Sequence, residues 1–81
     1  MHQKILESYP LILAGENEMV KVLRISGGRI LQERLISIGI QTGDMLWVVH
    51  KQPGGSLLVE KNGCRFVLGG GMAHKIHVNR C

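Results

Sequence analysis

Glycine divides this chain into short segments, and this division constrains the fold more than any other feature of the sequence. Eleven of the 81 residues are glycine, and most of them separate short apolar runs. Because glycine adopts positive φ angles without strain, such positions favour tight turns. A chain of this size buries only about 60% of its unfolded surface on folding. We therefore expect one small domain built from short elements, and a large enzyme is excluded.

Five segments have the composition of short β-strands, because β-branched and other apolar residues dominate them and turn residues end them. Between the third and fourth segments lie Asn62 and Gly63, a pair that accepts the positive φ angles of a tight hairpin. We therefore predict that these two segments pair as antiparallel strands. The five predicted strands are residues 19–26, 45–50, 57–61, 64–68 and 76–78.

One segment has the period of an amphipathic helix. Leu31, Leu35 and Ile38 recur at positions i, i+4 and i+7, which places them on one face. Gly39 then suits the left-handed position that closes a helix with a Schellman ending. The pattern predicts a helix over residues 29–38.

These elements predict a mainly β fold, a small SH3-like barrel of about five short strands with the helix inserted after the first strand. The chain is too small for two full sheets, and a barrel closes its strand edges on itself. Residues 9–14 indicate a short helical turn or an edge piece that covers the core, and residues 72–75 indicate one helical turn. We assign residues 1–8 to an N-terminal arm and residues 9–81 to the domain.

Composition also narrows the cellular location. The longest apolar runs, residues 11–14 and 45–49, are far shorter than the roughly 20 residues that cross a bilayer. The beginning of the chain lacks the layout of a secretory signal. Two cysteines do not form the dense framework of a small secreted domain. We expect a cytoplasmic protein that does not insert into a membrane.

The sequence does not favour nucleic-acid binding. The formal charge is +4, and the basic residues are scattered singly along the chain. Binders of single strands stack bases on exposed aromatic side chains. Here Trp47 and Phe66 alternate with aliphatic residues and are predicted to lie in the core, which leaves at most Tyr9 exposed. We expect no nucleic-acid partner.

An ordered series of short motifs resembles the FeoA family. It begins with Gly27 and Gly28, continues with a helix that ends in Arg-Leu-x-x-x-Gly-Ile, and leads into a turn at Gly43. No single motif is specific, but their order and spacing are, and together they cover residues 11–78. Further matching positions are Pro53-Gly54-Gly55, Leu58-Val59, Gly63, Phe66-Val67-Leu68 and Gly71-Met72-Ala73-x-Lys75-Ile76-x-Val78.

The resemblance implies an SH3-like barrel in a small cytoplasmic protein that works with FeoB, the membrane transporter of ferrous iron whose cytoplasmic region is a GTPase. It implies an accessory protein that acts by protein contact, without catalysis and without a cofactor. The chain departs from many members at residues 69–71, which are all glycine, and in the histidines and the cysteine near its end.

The predicted helix carries more apolar residues than one inward stripe uses, because Ile30 and Ile36 fall outside that stripe. Either the helix buries a wide face, or the helix and the turn at residues 41–44 form a patch for another protein. We adopt the second reading for the contact with FeoB. The residues predicted to bind the partner are Arg34, Leu35, Ile36 and Asp44.

The alternative reading is a metal-binding module, either an iron or zinc carrier or a sensor domain related to iron-dependent regulators. His74, His77 and Cys81 lie close together in sequence and are residue types that bind zinc or late transition metals. The tight Cys-x-x-Cys pair of a structural zinc site is absent. If residues 76–78 form a strand, His77 points outward. We expect no bound metal here and no catalytic role for Cys64.

Overall fold

In a computed structural model of the protein, which describes residues 8–81, six antiparallel strands and two helices form the SH3-like fold that the sequence predicts. The predicted arm therefore lies almost entirely outside the described residues. Short 3-10 turns occupy Leu11–Leu13 and Pro53–Gly55. The strands are β1 (Tyr9–Pro10), β2 (Glu18–Ile25), β3 (Met45–Lys51), β4 (Leu57–Lys61), β5 (Cys64–Leu68) and β6 (Ile76–Arg80), and the helices are α1 (Arg29–Ile38) and α2 (Gly70–Lys75).

The six strands form one sheet in the order β1-β6-β2-β3-β4-β5, so the last strand lies between the first two. Register shifts interrupt the pairing of β2 with β6 and of β3 with β4. Such bulges increase the local twist and bend the strands, which curls a small sheet. Among the described residues no ladder joins the end strands β1 and β5. The sequence predicted a barrel that closes on itself, and in this respect the sheet differs because it is not strictly closed.

Two details of the predicted element order are wrong. A two-residue strand, β1, precedes the first predicted strand, so α1 follows the second strand of the structure. Two residues are too short to show an alternating pattern, and only their pairing with β6 identifies them as a strand. The turn predicted at residues 72–75 is the six-residue helix α2. Its first residue, Gly70, lies so close to the Gly55 carbonyl that an added Cβ would be 3.3 Å from that oxygen.

The core lies inside the curled sheet and is filled by alternate strand residues. Leu46 and Val48 are fully buried, whereas Trp47 between them is only half-buried and faces away from the core. The prediction that Trp47 belongs to the core is therefore wrong, because the side chains of a strand alternate between its two faces. Phe66 does pack against the core, and so does Tyr9, the aromatic residue for which the sequence left exposure open.

Helix α1 begins and ends as the sequence predicts. Gly39 has a φ angle of 101°, and its N–H group donates to the carbonyl of Ile36 at 2.9 Å. The N–H group of Ile40 donates to the carbonyl of Leu35, also at 2.9 Å. These two bonds form a Schellman ending, in which the left-handed residue satisfies carbonyl groups that the helix leaves free.

Replacement of Gly39 tests this ending. At a φ of 101° a Cβ atom is strained, so Gly39→Ala is expected to lower the free energy of unfolding by about 1–2 kcal/mol. Gly71→Ala is the matched control, because an added Cβ on that helical glycine meets nothing within 4 Å. Alanine favours helix over glycine by about 1 kcal/mol, so the control should not be destabilised. Urea denaturation measures both changes, and equal destabilisation would contradict this account.

Candidate functional site

Helix α1 presents a mixed outer face. Ile30 is 77% exposed and Ile36 is 55% exposed, and they are the large apolar side chains that α1 leaves in water. At about 100° per residue they lie about 120° apart around the helix, on the two flanks of the exposed face. Arg29 and Glu33 lie between them, with 3.9 Å between Arg29 Nε and Glu33 Oε2. The exposed face therefore consists of two separate isoleucines around an ion pair.

The predicted contact residues of α1 differ in their exposure to water. Arg34 and Ile36 are exposed, and either side chain is accessible to a partner. Leu35 is 0% exposed and belongs to the core, so it is corrected from a contact residue to an anchor of the helix. Its position on the inward stripe explains this result, because Leu31 and Ile38 on the same stripe also pack against the core.

Asp44 holds the turn after α1 in place. Its Oδ2 atom accepts a hydrogen bond from the Gln41 N–H group at 2.8 Å and one from Lys61 Nζ at 2.9 Å. Lys61 also donates to the carbonyl of Gly39 at the end of the helix. A cation at this position neutralises the negative end of the helix dipole. Asp44 therefore positions the turn, and little of its side chain is available to a partner.

Lys61 and Glu16 are two polar residues that sequence analysis missed. Glu16 Oε2 accepts a hydrogen bond from the Lys51 N–H group at 2.7 Å and lies 2.8 Å from His50 Nδ1. The hydrogen bond from Lys51 is the main reason that the pKa of Glu16 is lowered, with His50 adding to the effect. Partners so distant along the chain leave no local pattern that sequence analysis could detect.

The bond between Asp44 and Lys61 can be measured by a double-mutant cycle. Asp44→Ala removes the acceptor of the Gln41 N–H group and one of the two acceptors of Lys61, so it is expected to lower the free energy of unfolding by about 1 kcal/mol. With Lys61→Met as the second change, the expected coupling is about 0.5 kcal/mol or more. Chemical denaturation of the four proteins gives this value. Strictly additive effects would show that the two side chains do not act together.

The residues proposed as alternative metal ligands lie on different elements of the fold. His77 lies on β6 and its Nε2 atom is 3.1 Å from Ser26 Oγ, whereas His74 lies on α2. Cys81 follows four residues after His77 along an extended chain, which separates their Cα atoms by about 13 Å. Within residues 8–81, no three His, Cys, Asp or Glu side chains are grouped so that they could hold a metal ion.

His77 is nevertheless perturbed by its surroundings. Partial burial lowers the pKa of its imidazole, and the nearby charges of Arg24 and His74 lower it further. The folded protein therefore favours the neutral ring more than the unfolded chain does. This contribution to stability is complete at a pH above the pKa of the unfolded chain, which is near 6.5. It is lost as the pH falls through the lower pKa of His77 in the folded protein.

A histidine titration tests this assignment. The His77 ring signal in a proton NMR spectrum is expected to titrate with a midpoint below 6.5. Arg24→Gln should raise that midpoint only in part, because burial is the larger cause. His77→Gln should reduce the loss of stability between neutral pH and the midpoint. A midpoint at or above 6.5 in the folded protein would contradict the prediction.

Comparison with known proteins identifies the family. The family model described as "FeoA domain" matches residues 9–80. The chain belongs to the FeoA family. A protein of Methanocaldococcus jannaschii named "Putative Fe(2+) transport protein A" is 39% identical over 70 residues, which cover 86% of this chain and 84% of that protein. FeoA proteins are accessory proteins of Fe(2+) transport and are not a known enzyme family.

Solved structures agree with this assignment. A crystal structure titled as the iron uptake regulatory protein FeoA superposes with a TM-score of 0.84 at 28% identity, over 94% of this chain and 100% of that one. A manganese-dependent transcriptional repressor superposes with a TM-score of 0.87 at 22% identity, over 96% of this chain but only 44% of the repressor. The second likeness shows a shared fold alone. Within residues 8–81, neither helix is long and apolar enough to cross a membrane.

Proposed function

We propose that this protein is a cytoplasmic accessory of ferrous iron transport that binds the cytoplasmic region of a FeoB-type transporter and regulates it by contact, without catalysing a reaction. The contact is formed by the outer face of α1 and the turn at residues 41–44. The observation that carries this proposal is the exposure of Ile30 and Ile36 on a helix whose opposite face is firmly anchored.

The two isoleucines supply the apolar part of the contact. Full burial of an aliphatic side chain of this size contributes about 1.5–3 kcal/mol. A few well-buried residues provide most of the binding energy of a typical protein interface. Because they lie on separate flanks of α1, a partner that covers both must also cover Arg29 and Glu33 between them. This arrangement favours a partner with a shallow groove around the helix.

Charge adds selectivity to the same surface. Arg34 is exposed and lies one helical turn after Ile30, and Arg29, the residue before Ile30, is also exposed. Basic residues at the rim of an interface accelerate the approach of an acidic partner. We therefore assign to the transporter an acidic surface that faces this edge of α1.

Rigidity of the helix supports a role in recognition. Leu35 fixes α1 to the core, and Lys61 and Asp44 fix its last turn to the β4-β5 hairpin. A surface that is held in its binding shape before contact loses less conformational entropy on binding. The alternative function, a metal carrier or sensor domain, is supported only by the fold shared with metal-dependent repressors, and within residues 8–81 His74, His77 and Cys81 do not form a group that could hold a metal ion.

Substitution of Ile36 tests the proposed contact. Ile36→Asp places a charge in the apolar part of the interface, and we expect at least tenfold weaker binding to the purified cytoplasmic region of the transporter, equivalent to about 1.4 kcal/mol. Calorimetry with and without guanine nucleotide measures the affinity. Leu13→Asp is the matched control, because Leu13 is also an exposed aliphatic residue but lies outside α1.

A kinetic binding measurement, such as surface plasmon resonance with the same partner region, separates charge from apolar contact. Arg34→Glu is expected to slow association and to weaken its dependence on salt, whereas Ile36→Asp should mainly accelerate dissociation. Circular dichroism confirms that each variant is folded. Equal loss of binding in Leu13→Asp and Ile36→Asp, or unchanged binding in folded Ile36→Asp, would overturn the assignment of α1 as the contact surface.

A further inference from the structure

Two sulfur atoms meet on the outer face of the sheet. The thiol of Cys81 donates to the thioether of Met45, with 3.6 Å between Sγ and Sδ. The Cys81 N–H group also donates to the carbonyl of Met19 at 3.1 Å, which continues the β2-β6 ladder beyond Arg80. Cys81 is therefore held beside β2 by its own backbone, and it is not a loose chain segment.

Strand register places a third sulfur-containing residue, Met19, beside Cys81 on the same face. Val20 pairs with Arg80, so the next position along the ladder sets Met19 opposite Cys81. Residues directly opposite in an antiparallel pair place their Cβ atoms about 5 Å apart on one face. Met19 is 38% exposed and Met45 is 45% exposed, and both face outward because Val20 and Leu46 face the core.

We propose that Cys81, Met45 and Met19 form a binding site for a soft monovalent metal ion, Cu(I). One thiolate and two thioethers are ligands that select Cu(I) over harder ions. On binding, the Cys81 thiol releases its proton to solvent and forms a sulfur–copper bond, and each methionine donates a lone pair. No electron is transferred, so the step needs no oxidant or reductant.

The charge around the three sulfurs favours a monovalent ion. Lys21 is exposed and pairs with Met45, so its ammonium group lies on the same face of the sheet. A single thiolate neutralises Cu(I) fully but leaves Zn(II) or Fe(II) with a net positive charge beside this lysine. These divalent ions also prefer nitrogen and oxygen ligands more than thioethers. The site is therefore distinct from any site for the Fe(2+) that the family helps to transport.

Competition for Cu(I) tests the proposal. The reduced, full-length chain is titrated without oxygen against Cu(I) held by the chromophoric chelator bathocuproine disulfonate. We expect one Cu(I) per chain, loss of binding in Cys81→Ser, and at least tenfold weaker binding in Met45→Leu and in Met19→Leu. Cys64→Ser and Met72→Leu are matched controls, since Cys64 is an exposed thiol on another strand and Met72 lies on α2.

Trp47 gives an independent measure of location, because it pairs with Met19 on the same sheet face. Binding of Cu(I) is expected to change its fluorescence in the wild type and not in Cys81→Ser. Three results would overturn the proposal: full affinity in Met45→Leu, equal loss in Cys64→Ser and Cys81→Ser, or one Cu(I) shared by two chains. Because Cys81 belongs neither to α1 nor to the turn at residues 41–44, Cys81→Ser should keep its affinity for the transporter, so the two proposals fail separately.

Discussion

The structure depends on the attachment of one helix to one face of a curled sheet. Leu35 is the fully buried residue of α1, and Ile40 directly after the helix is also fully buried. At the same end, Lys61 donates to the Gly39 carbonyl and to Asp44. Burial fixes the inward face, and the lysine fixes the last turn. Because one apolar face and one polar bridge hold the helix, its other side is free to carry residues that folding does not require.

Within the ten residues of α1, one face therefore stabilises the fold and the other face is available for recognition. Residues at the centre of the apolar stripe stabilise the domain, whereas Ile30 and Ile36 contribute little to the core and remain in water. Water-exposed aliphatic side chains on a rigid element are a ready source of binding energy. A small protein can act in this way by presenting a shaped surface to a larger one.

Similarity of fold carries less information about function than these surfaces do. The same architecture forms less than half of a manganese-dependent repressor and the whole of a FeoA protein. A shared barrel therefore does not imply shared ligands. In this chain, the side chains on the outer face of the sheet, including the sulfurs of Cys81 and Met45, are independent of those on α1. Two surfaces of one small domain can thus carry different chemistry.

The sequence alone determined the parts of this protein that depend on near neighbours. The period of Leu31, Leu35 and Ile38 predicted α1, Gly39 predicted its end, and Asn62-Gly63 predicted the hairpin, because each rests on contacts within a few residues. The ordered motifs also indicated the FeoA family. Only the tertiary structure decided that Leu35 is buried, that Asp44 is held by Lys61, and that Cys81 contacts Met45 and not His77. These relations join residues far apart in the chain, and the curvature and register of the sheet that bring them together leave no local pattern in the sequence.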